Sequence, residues 1–257
     1  METIICLKYN SVTGVVCLGK TYKTERKNLV DPRIGGVCDM KNTVIFDLDG
    51  LLINTEIISY QLYRDLTGMY DKPFSMEAYI HDYSGKTETD NMKRMIETCG
   101  LPISIEEGLA FVAAREKEYF EQGVDLKPGA RELLSYLQKK QYQILLASSS
   151  TKQRAEGVLR QNGIHEYFDH MVFGAEVKRG KPFPDIFEKA CEYAKQPPEN
   201  CLVLEDSEAG IQAAYAAGID VICIPDMKTP GAEFCKMAAA RLSSLADVIP
   251  WLEGHTA

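Results

Sequence analysis

Past Lys41 the chain keeps one rhythm: a short apolar run, then a longer stretch with apolar residues three and four positions apart. The runs at 43–48, 143–148, 170–173, 201–205 and 220–224 predict strands buried on both faces. Between them, 129–140, 151–162, 184–194 and 207–217 carry helical spacing, and Gly163 and Gly218 stand where a C-terminal cap belongs. Strands alternating with helices predict an α/β fold, a Rossmann-like open parallel sheet flanked by helices. One interval breaks the rhythm. Residues 55–126 hold helical patterns alone (55–67, 76–83, 88–99 and 105–122), separated by turn signals at Gly68, Lys72-Pro73, Gly85 and Gly100-Leu101-Pro102. They predict an inserted four-helix-bundle cap domain, with 40–54 and 127–257 forming the core domain.

Residues 1–39 read differently. They lack sustained periodicity beyond a short "GVVCLG" run, and Lys8, Lys20, Lys23, Arg26, Lys27 and Arg33 outnumber their acids. They are expected to be an atypical N-terminal extension. Met40 sits directly before the first convincing strand, and Gly35-Gly36 lies three codons upstream of it. Those glycines are encodable by a purine-rich ribosome-binding stretch, so translation from Met40 is one expectation. A genuine tail or small β appendage is the other.

Composition narrows the function. A net charge of −8 leaves no basic excess to neutralise phosphates, which argues against nucleic-acid and membrane-surface binding. No C-x-x-C pair and no H-x-x-x-H spacing occurs, so a zinc site is not expected. Cys201 and Cys223 fall inside strand-like runs and read as small buried hydrophobes. The chain reads as a monomer of a reducing, cytoplasmic compartment.

In an open parallel sheet, ligands bind at the carboxyl ends of the strands. The first run ends in Asp47-Leu48-Asp49-Gly50, the second in Ser148-Ser149-Ser150, and the fourth in Glu205-Asp206-Ser207. Lys178-Arg179-Gly180-Lys181-Pro182 follows the third. These groups suit a phosphate monoester. Asp47 can attack phosphorus, and Asp49 can protonate the leaving alkoxide and then deprotonate water. Ser148 can donate to a phosphoryl oxygen, with Ser149 and the following helix start beside it. Lys181 offsets the acids and the transferring charge. Converging carboxylates (Asp47, Asp49, Asp206 and Glu205) suit Mg²⁺. Glu205 fits two roles, metal ligand or partner of Lys181.

Asp47-x-Asp49-Gly50, Ser148, Lys181-Pro182-x-Pro184-Asp185 and Glu205-Asp206-Ser207-x-x-Gly210 occur in that order. They resemble the four motifs of the haloacid dehalogenase superfamily, from Lys41 to about Leu252. The context "DGLLINTE" and "KPFPDIF" looks like its sugar-phosphatase and β-phosphoglucomutase-like branch, with Asn54 where aspartate is more usual. Asn54 is read as an equivalent helix cap. The resemblance implies a Mg²⁺-dependent phosphomonoester hydrolase acting on a small sugar or nucleoside phosphate through an aspartyl-phosphate. The mutases of the branch carry a histidine and an arginine that here align with Ser59 and Glu88, so hydrolysis is favoured over a phosphosugar mutase. A non-catalytic binding protein is the remote alternative, since no motif acid or lysine is missing. Gly85 and Lys86 are the cap candidates for substrate contact. Tyr60 and Tyr83 are expected to be packing residues, and Arg179 an exposed loop residue.

Overall fold

The computed structural model describes residues 7–9, 16–18, 41–84 and 86–255. Met1–Val37 forms a unit of its own, in which β1 (Leu7–Tyr9) pairs antiparallel with β2 (Val16–Leu18), Leu7 opposite Leu18. The "GVVCLG" run therefore contains β2. The proposed start at Met40 lies outside the described residues.

The second unit, Cys38–Ala257, holds everything else. Its strands are β3 (Thr43–Phe46), β4 (Gln143–Ser148), β5 (His170–Phe173), β6 (Cys201–Glu205), β7 (Asp220–Cys223) and β8 (Ala240–Arg241). They form a six-stranded, all-parallel sheet in the order β5-β4-β3-β6-β7-β8. Five strands follow the apolar runs. The two-residue β8 has too little sequence to show a period. Helices α1 (Thr55–Gly68), α2 (Met76–Asp82), α3 (Glu88–Cys99) and α4 (Ile105–Gln122) follow β3. Then come α5 (Ala130–Lys139), α6 (Lys152–Gln161), α7 (Asp185–Ala194), α8 (Glu208–Ala216), α9 (Ala232–Cys235) and α10 (Val248–His255). None of the described helices is long and apolar enough to cross a membrane.

Alternation along the central strands splits the core between the two faces of the sheet. Val44, Phe46, Leu146, Leu202 and Leu204 join one cluster with Leu133 and Leu137 of α5. Ile45, Leu145 and Val203 join another with Ile186 and Phe187 of α7 and Ile211 of α8. Leu62, Tyr63, Met92, Met95 and Val112 of the four-helix insert belong to the first cluster, so insert and sheet share apolar packing. Tyr60, Tyr63, Phe74, Tyr79 and Tyr83 make stacked, tilted and edge-to-face ring contacts inside the insert, so Tyr60 and Tyr83 pack as expected. The helices start on side-chain caps at Ser75, Thr87, Ser104, Thr151 and Ser207. Asn54 corrects the sequence reading: it precedes α1, but its side chain makes no capping bond.

Two chain passes join insert to sheet, and they pair with each other. Ile53 bridges Leu126, Asn54 N–H donates to Asp125 O at 2.9 Å, and Lys127 N–H donates to Leu52 O at 2.9 Å. Strand order reverses at β3, whose neighbours β4 and β6 lead to opposite edges. The carboxyl end of β3 is thus the switch point where this sheet type opens a crevice.

Candidate active site

Asp47 follows β3 directly, and its N–H still bonds Leu204 O of β6 at 3.1 Å. That bond fixes the residue at the switch point. Lys181 reaches it from the loop before α7: Nζ donates to Asp47 Oδ1 at 2.5 Å, Glu205 Oε1 at 2.6 Å and Ala147 O at 3.1 Å. All three partners stand at strand ends, so one ammonium ties β3, β4 and β6 together. Its side chain is 7% exposed and its ammonium lies over the Phe187 ring. Burial alone would lower the Lys181 pKa, but the Asp47 and Glu205 charges more than reverse it.

The two roles left open for Glu205 are now distinguished. Its side chain is fully buried. Oε1 accepts from Lys181, while Oε2 accepts from Asp206 N–H, Ser207 N–H and Ser207 Oγ. Both oxygens are engaged within the protein, and of the two roles the structure displays the pairing of Glu205 with Lys181. Gly210 explains part of this geometry. A Cβ there would lie 1.8 Å from Glu205 Oε1, so only glycine lets the carboxylate tuck against α8.

Ser148 ends β4, fully buried, and its Oγ accepts from Ser150 N–H at 3.0 Å. Ser149 is exposed, whereas Ser150 Oγ donates to Asp49 Oδ2 at 2.6 Å. Arg154 of α6 donates to Asp49 Oδ1 at 2.8 Å, lies 3.5 Å from Glu116 of α4, and stacks over Phe120 at 4.3 Å. Asp49 is therefore held on the α6 side, apart from the Lys181 network. Lys86 is exposed and donates to Asp82 O at 2.6 Å, while Gly85 lies outside the described residues. Glu88, exposed at the start of α3, shares a field with Glu116 and Asp49 that raises the Glu116 pKa after burial has done so first. Arg179 forks onto Asp185 over Phe183, half exposed as expected.

Among the described residues no three Asp, Glu, His or Cys side chains gather as a ready metal cluster. The four-carboxylate ligand set is not assembled, because Asp49 and Glu205 are engaged elsewhere. What remains still fits a hard divalent cation. Gly50, at φ +84°, leaves a concavity: a Cβ there would stand 2.4 Å from Asp206 Oδ2 and 3.3 Å from Asp226 Oδ2. The second of these oxygens is buried without a hydrogen-bond partner. Burial pushes the Asp206 carboxyl well above its ordinary range, and Glu205, Asp47 and Asp226 push it further. Burial likewise lifts Asp47 to about 7, against the pull of Lys181. Uncompensated carboxylate oxygens beside Asp47 are what Mg²⁺ takes as ligands.

Sequence reasoning missed Ser150, Arg154, Asp226 and Lys127. Asp226 had a signal, since it stands just past the fifth apolar run and the strand-end rule applied there would have found it. Arg154 had none: its approach to Asp49 depends on the phase of α6.

Comparison with known proteins bears on the same residues. A family described as haloacid dehalogenase-like hydrolase matches residues 44–224. A phosphorylated carbohydrates phosphatase of Thermotoga maritima is 35% identical, covering 70% of this chain and 82% of its own. A probable pseudouridine-5'-phosphatase of Drosophila melanogaster is 36% identical over 80% of this chain and 90% of its own. A crystal structure from Thermotoga maritima, named as a candidate beta-phosphoglucomutase, matches with a TM-score of 0.73 and 30% identity, covering 83% of this chain and 99% of that one.

Proposed function

The chain belongs to the haloacid dehalogenase-like hydrolases, and from that premise we propose that it is a Mg²⁺-dependent phosphatase of small phosphorylated sugars or nucleosides. One observation carries the reading: Lys181 joins Asp47 to Glu205 beside Ser148 at the switch point of the sheet. Phosphatase names among relatives covering most of the chain support it.

The chemistry follows from the residues. A carboxylate oxygen of Asp47 attacks phosphorus, the P–O bond to the leaving group breaks, and an aspartyl-phosphate forms. Lys181 and the Ser148 hydroxyl stabilise the phosphoryl oxygens through charge and hydrogen bonding. Asp49 gives its proton to the departing alkoxide, then takes one from the water that attacks the aspartyl-phosphate. Asp47 is regenerated and phosphate leaves. Mg²⁺, held by Asp47 and Asp206, would supply positive charge against the phosphate oxygens and orient them. The helices of residues 55–126 act as a cap over this crevice, on the paired passes at Ile53 and Leu126, and exclude bulk water when closed.

Glu88 stands exposed at the start of α3, where the mutases of the branch carry an arginine, and its negative charge disfavours a second phosphate on the substrate. This favours hydrolysis over phosphosugar mutation, although one structural relative carries a mutase name. The test is a panel of sugar and nucleoside monophosphates with Mg²⁺, including β-glucose 1-phosphate with a bisphosphate primer. Free phosphate from wild type and none from Asp47→Asn is the expected outcome. Isomerised sugar instead of phosphate would establish the mutase, and turnover by Asp47→Asn would sink the mechanism.

A further inference from the structure

We infer that Asp226 is a further acidic residue of the cation site and that Lys127 sets its charge. This rests on the proposed Mg²⁺ reading and extends it to two residues outside the four motifs. Asp226 follows β7, next strand but one to β3, and its side chain is only 7% exposed. Oδ1 is bonded by Lys127 Nζ, whereas Oδ2 is buried with no partner. A pair serving only to anchor a loop would satisfy both oxygens, because leaving a buried charged oxygen bare is unfavourable. Here the bare oxygen borders the concavity over Gly50, which Asp206 Oδ2 also borders.

Charge balance points the same way. Lys181 pairs with Asp47 and Glu205, and Lys127 pairs with Asp226, which shares the concavity over Gly50 with Asp206. Four carboxylates against two ammonium groups leave two negative charges uncompensated, which one divalent cation supplies. Like charges so close in a poorly solvated site repel strongly unless a cation stands among them. Asp226 thus acts toward the cation directly or through a water that the cation carries, as outer acids of metal sites do. Lys127 lies on the second pass between insert and sheet, where its N–H bonds Leu52 O. It moderates the field of Asp226 from the hinge side.

The two partners predict opposite effects. Mg²⁺ binding to metal-free protein is measured by isothermal titration calorimetry for wild type, Asp226→Asn and Lys127→Met. Thermal unfolding in chelator verifies that each variant is folded. Asp226→Asn is expected to weaken binding by about 10–100-fold. Lys127→Met removes a cation from the site and is expected to bind Mg²⁺ as tightly as wild type or more so. Asp226→Ser, smaller and uncharged, replaces the amide variant if that one does not fold, with the same weakening expected. Wild-type affinity in the Asp226 variants overturns this inference while leaving the Mg²⁺ reading intact. Weakening in both the Asp226 and the Lys127 variants assigns the pair a purely structural role and also overturns it. No Mg²⁺ binding by wild type rejects the cation reading itself, and this inference with it.

Discussion

Alanine at Gly210 isolates the link between fold and site. In a helix, Gly→Ala ordinarily stabilises by up to about 1 kcal/mol, because the unfolded chain has less freedom to lose. At Gly210 the new methyl would meet Glu205 Oε1 at 1.8 Å, its carboxyl carbon at 1.9 Å and Oε2 at 2.2 Å. No rotamer adjustment of tenths of an ångström removes that overlap. Either α8 shifts, at the roughly 1–3 kcal/mol typical of overpacking, or Glu205 leaves. Leaving strips Lys181 of one of its two carboxylates and strands three hydrogen-bond donors at the start of α8. Breaking a buried ion pair destabilises by about 3–5 kcal/mol. The cheaper route minus the full helical gain gives a net loss of about 0–2 kcal/mol, or up to roughly 8 °C in Tm for a domain of this size. Gly157 in α6 is the matched control, since a Cβ there meets nothing within 4 Å. Gly157→Ala is expected to hold or raise stability. Urea unfolding of both variants, with activity assayed in parallel, reads the contrast as a shift in midpoint at constant slope. A Gly210→Ala protein as stable and active as Gly157→Ala would refute the idea that glycine is there to admit the carboxylate.

Other expectations follow from the same geometry. Gly50→Ala faces both a φ of +84° and a Cβ 2.4 Å from Asp206 Oδ2; it should lose Mg²⁺-dependent activity with a destabilisation of about 2–4 kcal/mol, seen by thermal unfolding with and without Mg²⁺. Arg154→Ala frees Asp49 from its charged donor, so kcat should fall by about 10–100-fold with KM little changed; Arg154→Lys should recover part of it, and an unchanged kcat removes Arg154 from the site. Burial raises Asp47 from 3.8 to about 7, so between those values the folded metal-free protein keeps a proton that the unfolded chain has released. Its contribution to stability therefore declines as pH rises through that window and levels off above about 7. Melting curves in chelator should show wild type losing stability relative to Asp47→Asn, whose amide does not titrate, as pH rises from about 4 to about 7; a difference independent of pH contradicts the assignment.

The sequence by itself determined the order of strands and helices along the chain, because burial on both faces of a parallel sheet demands unbroken apolar runs. It also placed Asp47, Ser148, Glu205 and Asp206 at strand ends and Lys181 in the loop after the third run, so all five could be named from local pattern. The short β8 and the four-residue α9 stayed illegible, since neither is long enough to display a period. What tertiary structure decided is how those residues share each other. For Glu205, ligating a metal and pairing with Lys181 were alternatives on paper, and a 2.6 Å contact between loop and strand makes the pair. Asp49 passed to Ser150 and Arg154, because only the packing of α6 beside β3 sets that approach. Asp226 reached the concavity over Gly50 from a strand far along the chain. Strand position is written locally in one dimension; charge pairing depends on distances between segments, and only the assembled sheet supplies them.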